Sequence, residues 1–105
     1  MASRLELHEE LCSVLGDENR VYFQPPASMY MEYPCIRYRK TGRQMVKANN
    51  SFYRMLDRYE IVVITEDPDD DSIGLAMIEH FGARLGIESR YIADELYHET
   101  YSLVY

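Results

Sequence analysis

The stretch Tyr59-Glu60-Ile61-Val62-Val63-Ile64-Thr65, followed at once by Glu66-Asp67-Pro68-Asp69-Asp70-Asp71-Ser72, decides the fold. Ile61 to Ile64 are four consecutive β-branched residues with no polar face, and a strand of that kind is buried on both sides. It belongs in the centre of a sheet. The carboxylates and proline that follow end the strand. They favour a helix start, where capping groups and the helix dipole welcome negative charge. A helix is therefore expected from Ser72 to about His80. Ile73, Met77 and Phe81 mark its inner side at four-residue spacing, and Gly82 and Gly86 provide the exit.

Working outward from this core, Cys35-Ile36-Arg37-Tyr38-Arg39 reads as a strand with Ile36 and Tyr38 on one side. Val21-Tyr22-Phe23 is a shorter strand, stopped by Gln24-Pro25-Pro26. Met29 to Tyr33 forms a loop ending in Tyr33-Pro34, where the preceding aromatic leaves a cis peptide open although trans is the default. Leu5, His8, Leu11, Cys12 and Leu15 give an apolar stripe across Ser3–Leu15, with Ser3 and Glu6 in capping-box spacing and Gly16 as the stop. On the other side, Arg90-Tyr91-Ile92-Ala93 and Tyr97 to Tyr105 make a terminal hairpin around Asp94-Glu95-Leu96. Tyr97, Tyr101, Leu103 and Tyr105 share one face of its last strand. The order α-β-β-β-α-β-β predicts a single domain over residues 1–105, of α/β (α+β) class. Its mixed, mainly antiparallel sheet of about five strands packs with two helices. Lys40 to Arg54 lacks a period and reads as a long connection, a basic arm at about 40–56 that is either a surface loop or a reach toward a neighbour.

The 105 residues carry a formal net charge of −7. Residues 1–58 hold nine Lys/Arg against seven Asp/Glu, a balance of +2, and residues 59–105 hold two against eleven, a balance of −9. An acidic chain is a poor candidate for gripping nucleic acid, which needs a basic footprint. Opposite charge on opposite parts of one chain suits a head-to-tail assembly. Ten tyrosines and six methionines, with no tryptophan, point the same way, since Tyr and Met are favoured at protein contacts. No window approaches a membrane span, and the opening residues lack a signal-peptide pattern, so folding in the cytoplasm is expected.

Catalytic and metal chemistry are tested by spacing. If Asp67, Asp69 and Asp71 stood at positions one, three and five of a calcium loop, Ser72 would replace the required glycine. Ile78 would then replace the closing glutamate. The pattern fails twice. Cys12 and Cys35 match no zinc spacing and read as buried reduced thiols. His8, His80 and His98 stand alone, and there is no phosphate-binding glycine loop, HExxH or nucleophile elbow. Asp94, Glu95 and His98 near a turn read as a solvated hairpin end. No cofactor, metal or enzymatic activity is expected.

Several blocks carry a resemblance. They are Val21-Tyr22-Phe23-Gln24-Pro25-Pro26, Met31-Glu32-Tyr33-Pro34-Cys35-Ile36-Arg37-Tyr38, Ala48-Asn49-Asn50 with Tyr53, Tyr59 to Ile64 with Asp67-Pro68-Asp69, and Arg90-Tyr91-Ile92-Ala93-Asp94 with the aromatic final strand. In that order they resemble a family of small tailed-phage proteins, the tail terminator, tail completion or minor capsid (neck) components. The chain departs from that pattern at Glu95-Leu96-Tyr97-His98, where the family has an Asn-rich turn, and at Phe81-Gly82-Ala83-Arg84.

The resemblance implies a virion protein of the neck, assembled in the host cytoplasm as a homo-hexameric ring on the tail tube protein. Such a ring stops tube polymerisation and meets the head–tail connector or stopper protein. Genome DNA passes through its lumen without specific binding. On this reading the subunit-interface candidates are Arg37, Arg39, Lys40, Arg43, Lys47, Tyr53 and Arg54. The acidic lumen candidates are Glu66, Asp67, Asp69, Asp70 and Asp71, whose charge would repel phosphate. The alternatives are a head-completion or stopper protein and, in a different class, a monomeric acidic binding module that mimics nucleic acid.

Overall fold

The structure, a computed structural model, describes residues 3–26, 28–48 and 51–105, apart from the side chains at 46–48 and 51–54. Its elements are α1 (Arg4–Leu15), β1 (Val21–Phe23), β2 (Cys35–Ala48), β3 (Ser51–Thr65), α2 (Ser72–Phe81), a 3-10 turn at Gly82–Arg84, β4 (Leu85–Ala93) and β5 (Leu96–Val104). They follow the expected order α-β-β-β-α-β-β in one five-stranded mixed sheet, arranged β1-β2-β3-β5-β4. β1 runs parallel to β2, and every other neighbouring pair is antiparallel.

β3 is the central strand, and the apolar run explains why. Ile61 and Val63 face the two helices, where they join Ile36, Tyr38 and Tyr101 from the sheet, Leu7 and Leu11 from α1, and Ile73, Met77 and Phe81 from α2. Val62 and Ile64 point the other way, into a smaller cluster with Cys35, Tyr22, Met31, Tyr33 and Leu96. Met31 and Tyr33 belong to the β1–β2 connection, which folds over that second face and contains a cis Tyr33–Pro34 peptide in place of the default trans form. Each fully buried aliphatic side chain in such a setting contributes on the order of 2 kcal/mol.

α1 begins where its sequence says it should. The Ser3 hydroxyl accepts from the Glu6 N–H at 3.2 Å, and Gly16, at φ 82°, closes the helix with its N–H on the Cys12 carbonyl. Its buried face differs from the expected stripe. Leu7 and Leu11 are the buried residues, while Leu5 is 64% exposed. Polar groups on α1 set this rotation: Arg4 Nη1 donates to the Tyr38 hydroxyl at 3.3 Å, and His8 Nδ1 shares a 2.7 Å hydrogen bond with the same oxygen. Docking Arg4 and His8 on Tyr38 brings Leu7 inward and swings Leu5 out. After α2 the 3-10 turn reverses the chain at once, so β4 starts at Leu85, earlier than the expected Arg90. Asp94 and Glu95, both at positive φ (52° and 63°), form the two-residue turn whose twist suits a hairpin.

The segment expected as a connection is a continuation of the sheet. β2 and β3 remain paired out to Ala48 and Ser51. β1 accompanies β2 only through Tyr38, and β5 accompanies β3 only from Arg58 inward. Beyond those limits the two strands project as a ribbon. With β2 and β3 paired only to each other there, no core imposes an apolar alternation, and none stood in the sequence to be read. Register shifts interrupt the pairing between Lys40 and Gly42 and again between Val46 and Lys47. At the first, Thr41 is the additional residue, and its hydroxyl donates to the Arg58 carbonyl at 3.3 Å.

Candidate functional site

The two charged regions lie at opposite ends of β3. At about 3.3 Å per residue its 15 residues run roughly 46 Å, most of the molecule's 50 Å long axis. Residues 40–58, the ribbon, carry five Lys/Arg and one Asp, whereas residues 66–71 carry five acids and no base. A charge separation along one strand is a stronger arrangement than a difference between sequence halves, because the sheet fixes its direction.

At the ribbon end the cations hold one another in place through a shared acid. Asp57 accepts from Lys40 Nζ at 3.4 Å and Arg43 Nε at 3.5 Å. Arg58 Nη2 donates to Gln44 Oε1 at 3.2 Å. Closer to the body, Arg39 pairs with Glu60 through two hydrogen bonds of 3.1 and 3.3 Å, which raise its already high pKa. Arg37 Nη2 donates to the Tyr91 hydroxyl at 3.3 Å. Of the expected interface residues, Arg37 and Arg39 therefore sit on the sheet face over β3 and β4, and Lys40 and Arg43 at the base of the ribbon. The side chains of Lys47, Tyr53 and Arg54 lie outside the described residues, although the backbone register pairs Arg54 with Val46.

At the acidic end the carboxylates divide between two jobs. Asp67 Oδ1 accepts from the Asp69 N–H at 2.9 Å. Asp70 Oδ1 accepts from both the hydroxyl and the N–H of Ser72, and these bonds hold its carboxyl below the ordinary range. Asp70 thus serves the start of α2, while Asp71, which occupies the N-cap position, makes no side-chain capping bond. Asp71 is drawn instead to Arg90 Nη2 at 2.8 Å, and the same guanidinium reaches Glu99 Oε2 through Nε at 2.6 Å. Glu66 and Asp69 are exposed.

This ion cluster borders a cavity of about 440 Å³ between the first turn of α2 and the sheet. Val63, Thr65, Tyr97 and Glu99 form its floor, Arg90, Tyr91 and Ile92 its β4 side, and Pro68, Asp70, Asp71 and Gly74 its roof. Gly74 lets α2 approach closely: a Cβ there would stand 2.6 Å from the Tyr101 hydroxyl and 2.8 Å from Glu99 Oε1. Tyr101 is 0% exposed, and among the described residues its hydroxyl is the one buried side-chain polar atom without a hydrogen-bond partner. His98 also borders the cavity. It stacks on Tyr91 at 4.6 Å and donates from Nδ1 to the Leu96 carbonyl, and burial lowers its pKa toward the neutral form.

The sequence reading did not identify this cavity or the Asp71–Arg90–Glu99 cluster. Two signals pointed to it: a glycine inside a helix, which marks close approach, and Arg90, one of two cations in an acidic C-terminal half. It also missed a partly exposed contact that joins the two helices to the end of β5, where Glu10 accepts from His80 Nε2 at 2.9 Å and from the Tyr105 hydroxyl.

Among the described residues no group of three or more His, Cys, Asp or Glu is placed to hold a metal ion, and no helix is long and apolar enough to cross a membrane. Cys12 and Cys35 are unpaired thiols, and burial pushes Cys35 up to about 11, far from the reactive thiolate range. Neither the family models nor the curated proteins compared with this chain give a match.

Proposed function

We propose that the chain is a structural subunit that assembles head to tail into a ring, in the role of a phage tail terminator. The ring would cap the tail tube, stop its growth, and join it to the head connector while DNA passes through. One observation carries this reading: a basic ribbon and an acidic loop occupy the two ends of a single central strand. A monomer gains nothing from holding these ends apart. A closed ring satisfies both, each ribbon meeting the acidic end of the next copy. The ribbon itself supports the idea, since a two-stranded ribbon with both edges open is marginally stable in water until something covers it. The resemblance in ordered sequence blocks supplies the neck location, and the carboxylates at Glu66 to Asp71 suit a lumen that repels phosphate.

Mass photometry at rising concentration, alone and with tail tube protein, tests the proposal. A closed oligomer that forms with the tube protein and dissociates at high salt is expected. A chain that stays monomeric under both conditions refutes it. Capture by a connector protein in place of the tube protein would move the assignment to a head-completion role.

A further inference from the structure

β4 is an edge of the sheet, with β5 on one side and no strand among the described residues on the other. Its nine residues offer a row of unpaired backbone N–H and C=O groups roughly 30 Å long. Three of the nine large hydrophobic residues exposed among the described ones are on this strand, so the edge is apolar as well as open. Ile87 is 63% exposed and Ile92 68%. Soluble proteins blunt such an edge with charges or a bulge, and β4 has both, in Glu88, Arg90 and the register shift between Ile87 and Ser89.

The bulge has a second effect, because it changes which residues share a face. Leu85, Ile87, Arg90 and Ile92 are opposite Leu103, Tyr101, Glu99 and Tyr97 of β5, on the helix side of the sheet. Gly86, Ser89 and Tyr91 are opposite Ser102, Thr100 and His98, on the other side. In a regular strand Ile87 and Arg90, three residues apart, would point to opposite faces and could not stand opposite each other across an antiparallel pair. With Glu88 as an additional residue they point to the same face. The strand therefore matches an inverted copy of itself about a two-fold axis between Glu88 and Ser89. Leu85 then pairs with Ile92, Gly86 with Tyr91 and Ile87 with Arg90, each pair on one face. Glu88 stands opposite Ser89, so no residue directly faces a like charge.

We propose that β4 pairs antiparallel with β4 of a second copy of the chain in this register. The two five-stranded sheets become one, with the α-helices of both copies on the same side. The contact covers Ile92 with Leu85 of the second copy, and Ile87 with the aliphatic stem of its Arg90. This goes beyond the ring reading above and does not depend on it. Backbone hydrogen bonds and apolar cover hold the pair, so it persists in salt that removes a contact between the charged ends of β3.

Sedimentation velocity of the full chain in about 1 M sodium chloride, where charges are screened within about 3 Å, tests the pairing. A dimer that populates as concentration rises is expected. Amide exchange should slow along β4 in the dimer. A mixture of labelled and unlabelled chains should show intermolecular nuclear Overhauser contacts between the Leu85 and Ile92 methyl groups. Ile92→Lys should weaken the dimer about tenfold or more, because a lysine on an edge opposes pairing. Ile92 is exposed, so the thermal midpoint of the dilute variant should stay unchanged. A chain that remains monomeric at every concentration in this salt overturns the proposal, as does a dimer that Ile92→Lys leaves intact. Exchange that slows at the ribbon in place of β4 overturns it in favour of ribbon pairing. Failure of the ring reading has a different signature: larger assemblies are absent at low salt while the β4 dimer remains.

Discussion

Residues 59–64 of β3 have β2 and β5 on either side and are covered on both faces, while residues 51–56 have β2 alone beside them. One strand thus passes from having a neighbour on each edge to having a neighbour on one. In the inner part the side chains are chosen by volume: Ile61, Val62, Val63 and Ile64 are all buried. In the outer part the visible interactions are electrostatic, with Asp57 holding Lys40 and Arg43. Hydrophobic burial defines the inner half without reference to any partner. Exposed ion pairs are individually weak, so the outer half is held less firmly than the inner one.

The contrast can be broken at either end. Ile61→Ala opens a cavity at the centre of the sheet and should cost about 3 kcal/mol, read as a lowered urea midpoint. An intermediate effect is expected at Glu10. Burial raises its carboxyl pKa, but hydrogen bonds from Tyr105 and His80 outweigh that, leaving it below the ordinary 4.5. A folded value below the unfolded one stabilises the protein above that ordinary value. The contribution is lost as pH falls through the folded value. Glu10→Gln should therefore flatten the loss of stability between about pH 5 and pH 3 in denaturant titrations, and an unaltered slope would refute the network's role. At the ribbon, Asp57→Asn releases both Lys40 and Arg43. It should cost the fold no more than about 1 kcal/mol while hydrogen exchange quickens at ribbon amides and changes little elsewhere. The smallest effect on folding, under about 0.5 kcal/mol, is expected for Arg43→Glu with Lys47→Glu. That double reversal should nevertheless abolish salt-sensitive self-association by mass photometry. Undisturbed assembly would show that the ribbon is not the contact.

The same contrast explains what could be read from the sequence. Residues 59–65 and 72–81 were legible because burial imposes a period, two-sided in the strand and four-residue in Ile73, Met77 and Phe81. The ribbon was read as a connection because two strands paired only with each other carry no such imposed period. Leu5 misled for a related reason: its spacing fits the helix, but the rotation of α1 is fixed by Arg4 and His8 meeting Tyr38, a contact across 30 and more residues. The acidic residues were legible as a helix start, with Asp70 in that role. The cavity was hidden because it depends on Gly74, Arg90 and Glu99 converging from three elements, and no local pattern records such a meeting.

Thr41 gives the molecule its aim. This one additional residue lies where the body ends and the ribbon starts, and a bulge bends and twists the strand that carries it. Deleting it would leave Gly42 opposite Arg58 and every pair beyond it as before, yet the ribbon would leave the sheet on a different heading. In a ring the angle between one subunit and the next fixes how many fit into a full circle. In the ring proposed above, this single threonine, next to the Lys40–Asp57 ion pair, would set that angle and with it the circumference.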